Sequence, residues 1–333
     1  MAKNIAIAGV TGAVGQEFLR ILEERNFPFN QCKMLASSRS VGKKVTLKGK
    51  EYAVEELKHD SFKGVDIALF SAGGARSKEF APSAVKAGAV VVDNSSAFRM
   101  DPDVPLVVPE INPQDIYKHK GIIANPNCTT IIAIVVVWPL HKANPVKRMV
   151  VSSYQAASGA GQSAMLELLQ QAREVLDGKP VTVKNLKYQL AFNVYCHDSK
   201  IGPNGYNEEE MKLVNETRKI FHCPDIAITG TCVRVPVLRA HSESINLEFT
   251  HPITPDEVRQ LLSTAPGVKI IDDRANNRFP MPLDATGKDD VFVGRIRQDE
   301  SIPDNRGINL WVSGDQIRKG AALNAVQIAE KLL

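Results

Sequence analysis

Six residues, Asn125-Pro126-Asn127-Cys128-Thr129-Thr130, place one thiol at the start of an apolar segment that follows a strand-like stretch at 121–124. A helix beginning at or just after Cys128 would leave its first backbone N–H groups unpaired. Those amides and the positive end of the helix dipole favour thiolate over thiol, which is the condition for a nucleophile. Pro126 supports such a start. The plain alternative is a structural cysteine, since free cysteine is among the residues most often found in cores. Its neighbours have to decide.

Ser153-Tyr154-Gln155-Ala156-Ala157-Ser158-Gly159-Ala160-Gly161 ends a strand in small residues, which permit a ligand to approach closely. Farther on, Arg234 lies seven residues before His241, on a strand that breaks at Pro236. An arginine binds anions and a histidine moves protons, although either alone is more often surface or hydrogen-bonded core. Near the N-terminus, Gly9-Val10-Thr11-Gly12-Ala13-Val14-Gly15 departs from the commoner Gly-x-Gly-x-x-Gly spacing. Its position between a first strand and a first helix still lets the amides of this loop face a pyrophosphate. After the second strand, where an NAD enzyme places a carboxylate on the ribose, stand Ser37-Ser38-Arg39-Ser40. A guanidinium and hydroxyls there suit the 2′-phosphate of NADP, the alternative being an ordinary solvated loop.

Positioning these groups requires a βα framework. Residues 3–8 read as a buried parallel strand, followed by a helix to about residue 25. Further strand-like runs at 32–36, 65–71, 90–94 and 121–124 alternate with helical patterns such as 77–87, with an inserted hairpin at 44–54 around Gly49-Lys50. After a helix ending near Pro139 come longer alternating strands at 149–155, 228–235, 245–250, 291–297 and 308–312. Interleaved helices at 162–176, 208–221 and 255–263 make this half α+β, with a mixed or antiparallel sheet. An amphipathic helix at 319–333 should return to the first domain. The predicted fold is therefore α/β. An N-terminal Rossmann-type parallel sheet domain spans 1–127 and is completed by 314–333, and a second α+β domain occupies 128–313.

A length of 333 residues exceeds one comfortable core and fits two domains. At 44% hydrophobic and 23% charged the composition is globular rather than disordered, and no apolar run reaches the roughly 18 residues of a membrane helix. The net charge of +4 is spread without a basic cluster, which disfavours nucleic acid and leaves anionic small substrates open. The five cysteines are odd in number and include no Cys-x-x-Cys pair, against both a metal site and a disulfide framework. The N-terminus shows no charged-then-apolar signal segment, and a cytoplasmic protein is expected.

Together the glycine loop, the 125–130 motif, the 153–161 segment and Arg-Val-Pro-Val-Leu-Arg-Ala-His-Ser-Glu-Ser at 234–244 resemble aspartate-β-semialdehyde dehydrogenases, from residue 3 to the final helix. The cysteine motif alone is also similar to those of glyceraldehyde-3-phosphate dehydrogenase and N-acetyl-γ-glutamyl-phosphate reductase, so Gln155 and the 234–241 segment carry the discrimination. The resemblance implies Cys128 as acyl-thioester nucleophile, Gln155 as its orienting, substrate-facing neighbour, His241 as general acid/base and Arg234 as the clamp on the substrate carboxylate. In Tyr206-Asn207-Glu208-Glu209-Glu210-Met211-Lys212 it assigns Glu209 to the substrate amino group and Lys212 to phosphate, with Glu208 and Glu210 as competing registers. Arg99 and Asn127 match further phosphate positions, and Ser158, Gly159 and Gln316 match cofactor contacts. The loop at 197–205 is the stretch the resemblance covers least.

The activity so implied is reversible, NADP-dependent reductive dephosphorylation of L-aspartyl-4-phosphate to L-aspartate-4-semialdehyde, with release of phosphate. It serves the biosynthesis of lysine (through diaminopimelate), threonine and methionine. The implied assembly, through the second, catalytic domain, is a homodimer or dimer of dimers. N-acetyl-γ-glutamyl-phosphate reductase is the rival within this chemistry, but its acetylated amine leaves a carboxylate at Glu209 without purpose. A non-catalytic NADP-binding regulator is the rival from another class, and it has no use for a thiol and an imidazole.

Overall fold

The computed structural model describes residues 2–333. These form two units, the first running to Asn127 and including Ala321–Leu333, the second being Cys128–Gly320.

In the first unit β1 (Lys3–Ala8) leads into α1 (Ala13–Glu24) and β2 (Phe29–Ala36). There follow β3 (Lys44–Leu47), β4 (Lys50–Glu56), β5 (Ile67–Phe70), α2 (Gly74–Lys86), β6 (Val90–Asp93) and β7 (Ile122–Ala124). The sheet order is β3-β4-β2-β1-β5-β6-β7. Every pairing is parallel except the β3–β4 hairpin, which is the hairpin expected around Gly49-Lys50; the sequence pattern did not show that it joins the sheet through β4 beside β2, as an antiparallel edge. Ile5 to Ala8 and Ile67 to Phe70 are buried along their whole length, as strands covered on both faces must be. Ile5 and Ile7 pack with Phe18, Ile21 and Leu22 of α1 on one face, while Ala6 and Ala8 meet Ala81 and Ala84 of α2 on the other. With β2 on one side of β1 and β5 on the other, the strand order reverses at β1. A crevice outside the carboxyl ends of these strands is where such sheets bind ligands.

The second unit contains α3 (Cys128–Ala143), β8 (Val146–Gln155), α4 (Gln162–Leu176), β9 (Tyr195–Cys196), α5 (Glu208–Phe221) and β10 (Ala227–Arg234). Next come β11 (His241–Phe249), α6 (Pro255–Ser263), β12 (Val268–Ile270), α7 (Pro282–Ala285), β13 (Val291–Gln298) and β14 (Gly307–Gly314). They build a mixed sheet in the order β12-β13-β14-β11-β8-β10-β9. The starts of α5 and α6 are fixed by capping boxes, Asn207 with Glu210 and Thr254 with Glu257, which explains why both are legible in the sequence. The expected end of α3 near Pro139 is corrected, because the helix continues one turn further to Ala143. Proline removes one helical hydrogen bond, but Thr129–Val137 and Leu140 are buried, and that packing outweighs the local penalty.

The last element, α8 (Leu323–Glu330), returns to the first unit, where Leu323, Val326 and Ile328 join the core with α1. The return begins at Ala321 rather than at 314. A π-turn at Arg318–Ala322 precedes the helix, and burial of Leu323–Val326, Ile328 and Ala329 replaces the expected amphipathic face with a helix covered nearly all round. No helix among the described residues is long and apolar enough to cross a membrane. Nor do they contain a group of three or more His, Cys, Asp or Glu placed to hold a metal ion, and all five cysteines are free thiols.

Candidate active site

The first unit holds a cleft of about 420 Å³ lined by Gly9, Thr11 and Gly12, by Ser37, Arg39 and Ser40, and by Ser71 and Ala72 after β5. Gly9 has φ +90° and a side chain there would meet the carbonyl oxygen of Ser71 at 2.3 Å, so only glycine fits. Gly15 serves helix-to-strand packing instead, since its Cα approaches the Gly9 carbonyl so closely that a methyl would lie 2.2 Å from the oxygen. The start of α1 at Gly12 has no side-chain cap, and its opening amides are an anion-binding end. Ala13, Val14, Gly15 and Ser38 are not among the residues lining the cleft. Lys43 and Arg76 are, and no sequence signal marked either. With Arg39 they give three cations and no lining carboxylate, a donor set that fits a 2′-phosphorylated dinucleotide.

Arg99 is buried, its Nε donating to the carbonyl of Asn125 at 2.9 Å and its Nη2 to that of Asn94 at 3.0 Å, at the ends of β7 and β6. Asn127 is buried as well.

In the second unit the sheet register assembles the chemistry. Arg234 pairs with Gln155, Tyr154 pairs with Ser242, and His241 pairs with Gly314. Arg234, Gln155, His241 and Gly314 thus form one row across β10, β8, β11 and β14, on the face covered by α3, whose Ile132 touches Gly314. Cys128 is the first residue of that helix, with Sγ 3.7 Å from His241 Nε2. The Ala156 N–H donates to His241 Nδ1 at 3.0 Å, so the neutral ring carries its proton on Nε2, toward the sulfur. Complete burial, assisted by the Arg234 charge, pushes the His241 pKa down to about 3. Ala240, immediately before, has φ +72° and its N–H is held by Gln316 Oε1 at 2.9 Å. Gln316 Nε2 also donates to the Ser158 hydroxyl, which places both residues in the second unit.

Gln155 Nε2 donates to Thr129 Oγ1 at 2.7 Å and to Glu209 Oε1 at 3.3 Å, while Lys212 Nζ donates to Glu209 Oε2 at 2.9 Å. Of the three consecutive glutamates, Glu209 meets Gln155 and Lys212, whereas Glu210 caps α5 and Glu208 is exposed. Gly159 sits where a methyl would lie 3.2 Å from His241 Nε2 and 3.3 Å from Arg234 Nη1. Gly320, not anticipated from sequence, has its Cα against Cys128, where a methyl would lie 2.9 Å from the cysteine Cβ. Cys32 and Cys232, by contrast, are thiols that burial pushes up to about 12 and holds inert.

A family model described as the semialdehyde dehydrogenase NAD-binding domain matches residues 4–119, and one described as its dimerisation domain matches residues 137–319. An aspartate-semialdehyde dehydrogenase of Synechocystis is 58% identical over 99% of this chain and 97% of its own length. The chain belongs to the aspartate-semialdehyde dehydrogenase family. Among solved members, aspartate-semialdehyde dehydrogenase II of Vibrio cholerae, complexed with ASA, superposes with a TM-score of 0.97 at 45% identity, covering 100% of this chain and 98% of that one. The Candida albicans aspartate-semialdehyde dehydrogenase with NADP has a TM-score of 0.78 at 25% identity, with the same coverages. The plan of an aspartate-semialdehyde dehydrogenase, a Rossmann-type unit and a mixed-sheet unit, is therefore the plan of this enzyme.

Proposed function

We propose that this enzyme catalyses the reversible, NADP-dependent reductive dephosphorylation of L-aspartyl-4-phosphate to L-aspartate-4-semialdehyde. One observation carries the reading: Cys128 Sγ lies 3.7 Å from His241 Nε2 at the start of a buried helix. The Cys128 thiolate attacks the acyl carbon, the S–C bond forms, the C–O bond to phosphate breaks, and the departing phosphate takes up one proton from solvent. NADPH, when bound, supplies the hydride that reduces the thioester carbonyl. His241 Nε2–H, fixed by the Ala156 N–H, holds the thiolate before attack. It then stabilises the oxygen of the tetrahedral adduct, whose C–S bond breaks to release the aldehyde and return the thiolate.

Arg234 would grip the substrate carboxylate with two parallel bonds, Glu209 the amino group, and Arg99, Asn127 and Lys212 the phosphate. Gln155, tied to Thr129 and Glu209, would orient the substrate. The cofactor would be held by Gly9, Thr11, Gly12, Arg39 and Ser40, with Lys43 and Arg76. The Vibrio relative complexed with ASA and the Candida relative with NADP support the choice of substrate and cofactor. The dimerisation-domain match supports a dimer, which would act alone or as half of a dimer of dimers, and five free thiols suit the cytoplasm.

The test follows NADPH formation from the semialdehyde, with and without inorganic phosphate, in the unmodified enzyme and in Cys128→Ala. Phosphate-dependent turnover should vanish in the variant while NADP binding persists. Turnover independent of phosphate, or undiminished in Cys128→Ala, overturns the thioester route.

A further inference from the structure

His197 stands in the 197–205 loop, outside every motif, yet its imidazole reaches the centre of the second unit. Arg234 Nη2 donates to His197 Nε2 at 2.9 Å. On the opposite side of the ring Nδ1 lies 3.1 Å from Ser199 Oγ, and that hydroxyl also accepts the Glu209 N–H at 3.2 Å. The Ser199 N–H also points at Nδ1, at 3.2 Å, so a donor faces each ring nitrogen, and a neutral imidazole has a lone pair on one of them only. The shorter, charge-assisted contact from Arg234 takes that lone pair on Nε2, which leaves the ring proton on Nδ1, toward the Ser199 hydroxyl. The backbone holds the ring in place: the His197 N–H donates to the Cys232 carbonyl at 2.7 Å, and Asn207 Nδ2 donates to the His197 carbonyl at 3.2 Å. Arg234 has little else to fix it. Its buried Nε makes no hydrogen bond, and the nearest carboxylate oxygen, of Asp198, lies 3.8 Å away.

We infer that His197 is a positioning residue that, in its neutral form only, holds the Arg234 fork open for the substrate carboxylate and links it through Ser199 to the start of the helix bearing Glu209. The inference rests on the proposed role of Arg234. One unbroken hydrogen-bonded chain, Arg234–His197–Ser199–Glu209, sets the spacing between the group for the carboxylate and the group for the amine, and so selects an α-amino acid. Protonating His197 removes the acceptor and brings a second cation against the guanidinium. The charged and titratable groups facing the ring are Arg234 on β10, Glu209 and Lys212 on α5, Asp198 beside it, and His241 on β11. Burial and Arg234 hold His197 below its ordinary 6.5, against the opposing pull of Glu209 and Asp198, so at neutral pH the clamp is set.

The experiment measures KM for L-aspartate-4-semialdehyde and kcat from pH 8 down to pH 5, at saturating NADP and phosphate. Three variants accompany the unmodified enzyme: His197→Ala, His197→Gln and Arg234→Lys. His197→Ala should raise KM roughly ten-fold, the worth of one hydrogen bond to a charged group, with kcat within about two-fold. A glutamine carbonyl can accept from Arg234 and does not titrate in this range, so His197→Gln should restore KM at pH 7.5 and remove its rise at low pH. In the unmodified enzyme KM should climb below pH 6.5. A KM that stays flat or falls with acidification, or a His197→Ala variant that loses kcat and keeps KM, overturns the inference. If Arg234→Lys leaves KM unchanged, the carboxylate clamp itself is wrong. If Arg234→Lys raises KM and His197→Ala does not, only the role of His197 fails.

Discussion

Gly159→Ala isolates the geometry of the site from the stability of the fold. Gly159 is not among the glycines with positive φ, so an alanine meets no backbone penalty there. The added methyl would stand 3.2 Å from both Cε1 and Nε2 of His241 and 3.3 Å from Arg234 Nη1, tighter than nine in ten real Cβ contacts. Something must give by a few tenths of an ångström. His241 is pinned from behind by the Ala156 N–H at 3.0 Å and cannot retreat without stretching that bond, so the Cys128–His241 pair and the Arg234 fork share the displacement. If a misplacement of about 1 Å costs up to about 10²-fold, a third of that distance costs about three- to ten-fold in kcat/KM. Stability should stay within about 0.5 kcal/mol, since no core contact is lost. Steady-state kinetics in both substrates, alongside thermal unfolding followed by circular dichroism, reads both quantities. Unchanged kinetics would show that neither His241 nor Arg234 is needed where the structure puts them, and a large drop in Tm with kinetics intact would refute the packing argument.

Exchanging Arg39 for alanine should raise KM for NADP and leave that for NAD alone, because Arg39 lines the cleft where no carboxylate does; equal losses with both cofactors would contradict a 2′-phosphate contact. His241→Ala should depress the chemical step by about 10²–10⁴-fold with substrate affinity nearly unchanged, and single-turnover measurements that find weaker binding instead would reassign it. Glu243 is fully buried with neither carboxyl oxygen hydrogen-bonded, and burial raises its pKa well above the carboxylate range. Folding therefore favours its protonated form, so stability is lost as pH rises from the unfolded value toward the folded one. Glu243→Gln should accordingly raise Tm at pH 8 and give little at pH 4, and an equal gain at both pH values would refute that sign.

Periodicity and capping make the elements legible. Strands buried on both faces read as apolar runs, and the residues opening α5 and α6 announce themselves in the sequence. The differences arise where tertiary packing overrides a local rule, as at Pro139 inside a buried α3 and in the last helix, whose apolar spacing hides a helix covered nearly all round. In the site, Cys128, Gln155, Arg234 and His241 stand in recognisable motifs. Gly320 and His197 do not, because their roles come from which backbone lies against Cys128 and which ring nitrogen meets Arg234, facts set by three-dimensional register rather than by neighbours in the chain.

That register makes the row Arg234–Gln155–His241–Gly314 act as a ruler. Inserting a single residue within β11 ahead of Ile245 would turn His241 to the opposite face of the sheet, while two would restore the face but shift the imidazole by about 7 Å along the strand. Insertions and deletions in this lineage should therefore collect in the loops and spare the interiors of β8, β10 and β11. During synthesis, too, the imidazole can find the thiol only after 113 residues have followed it off the ribosome, so a nascent chain remains chemically silent until its sheet has closed.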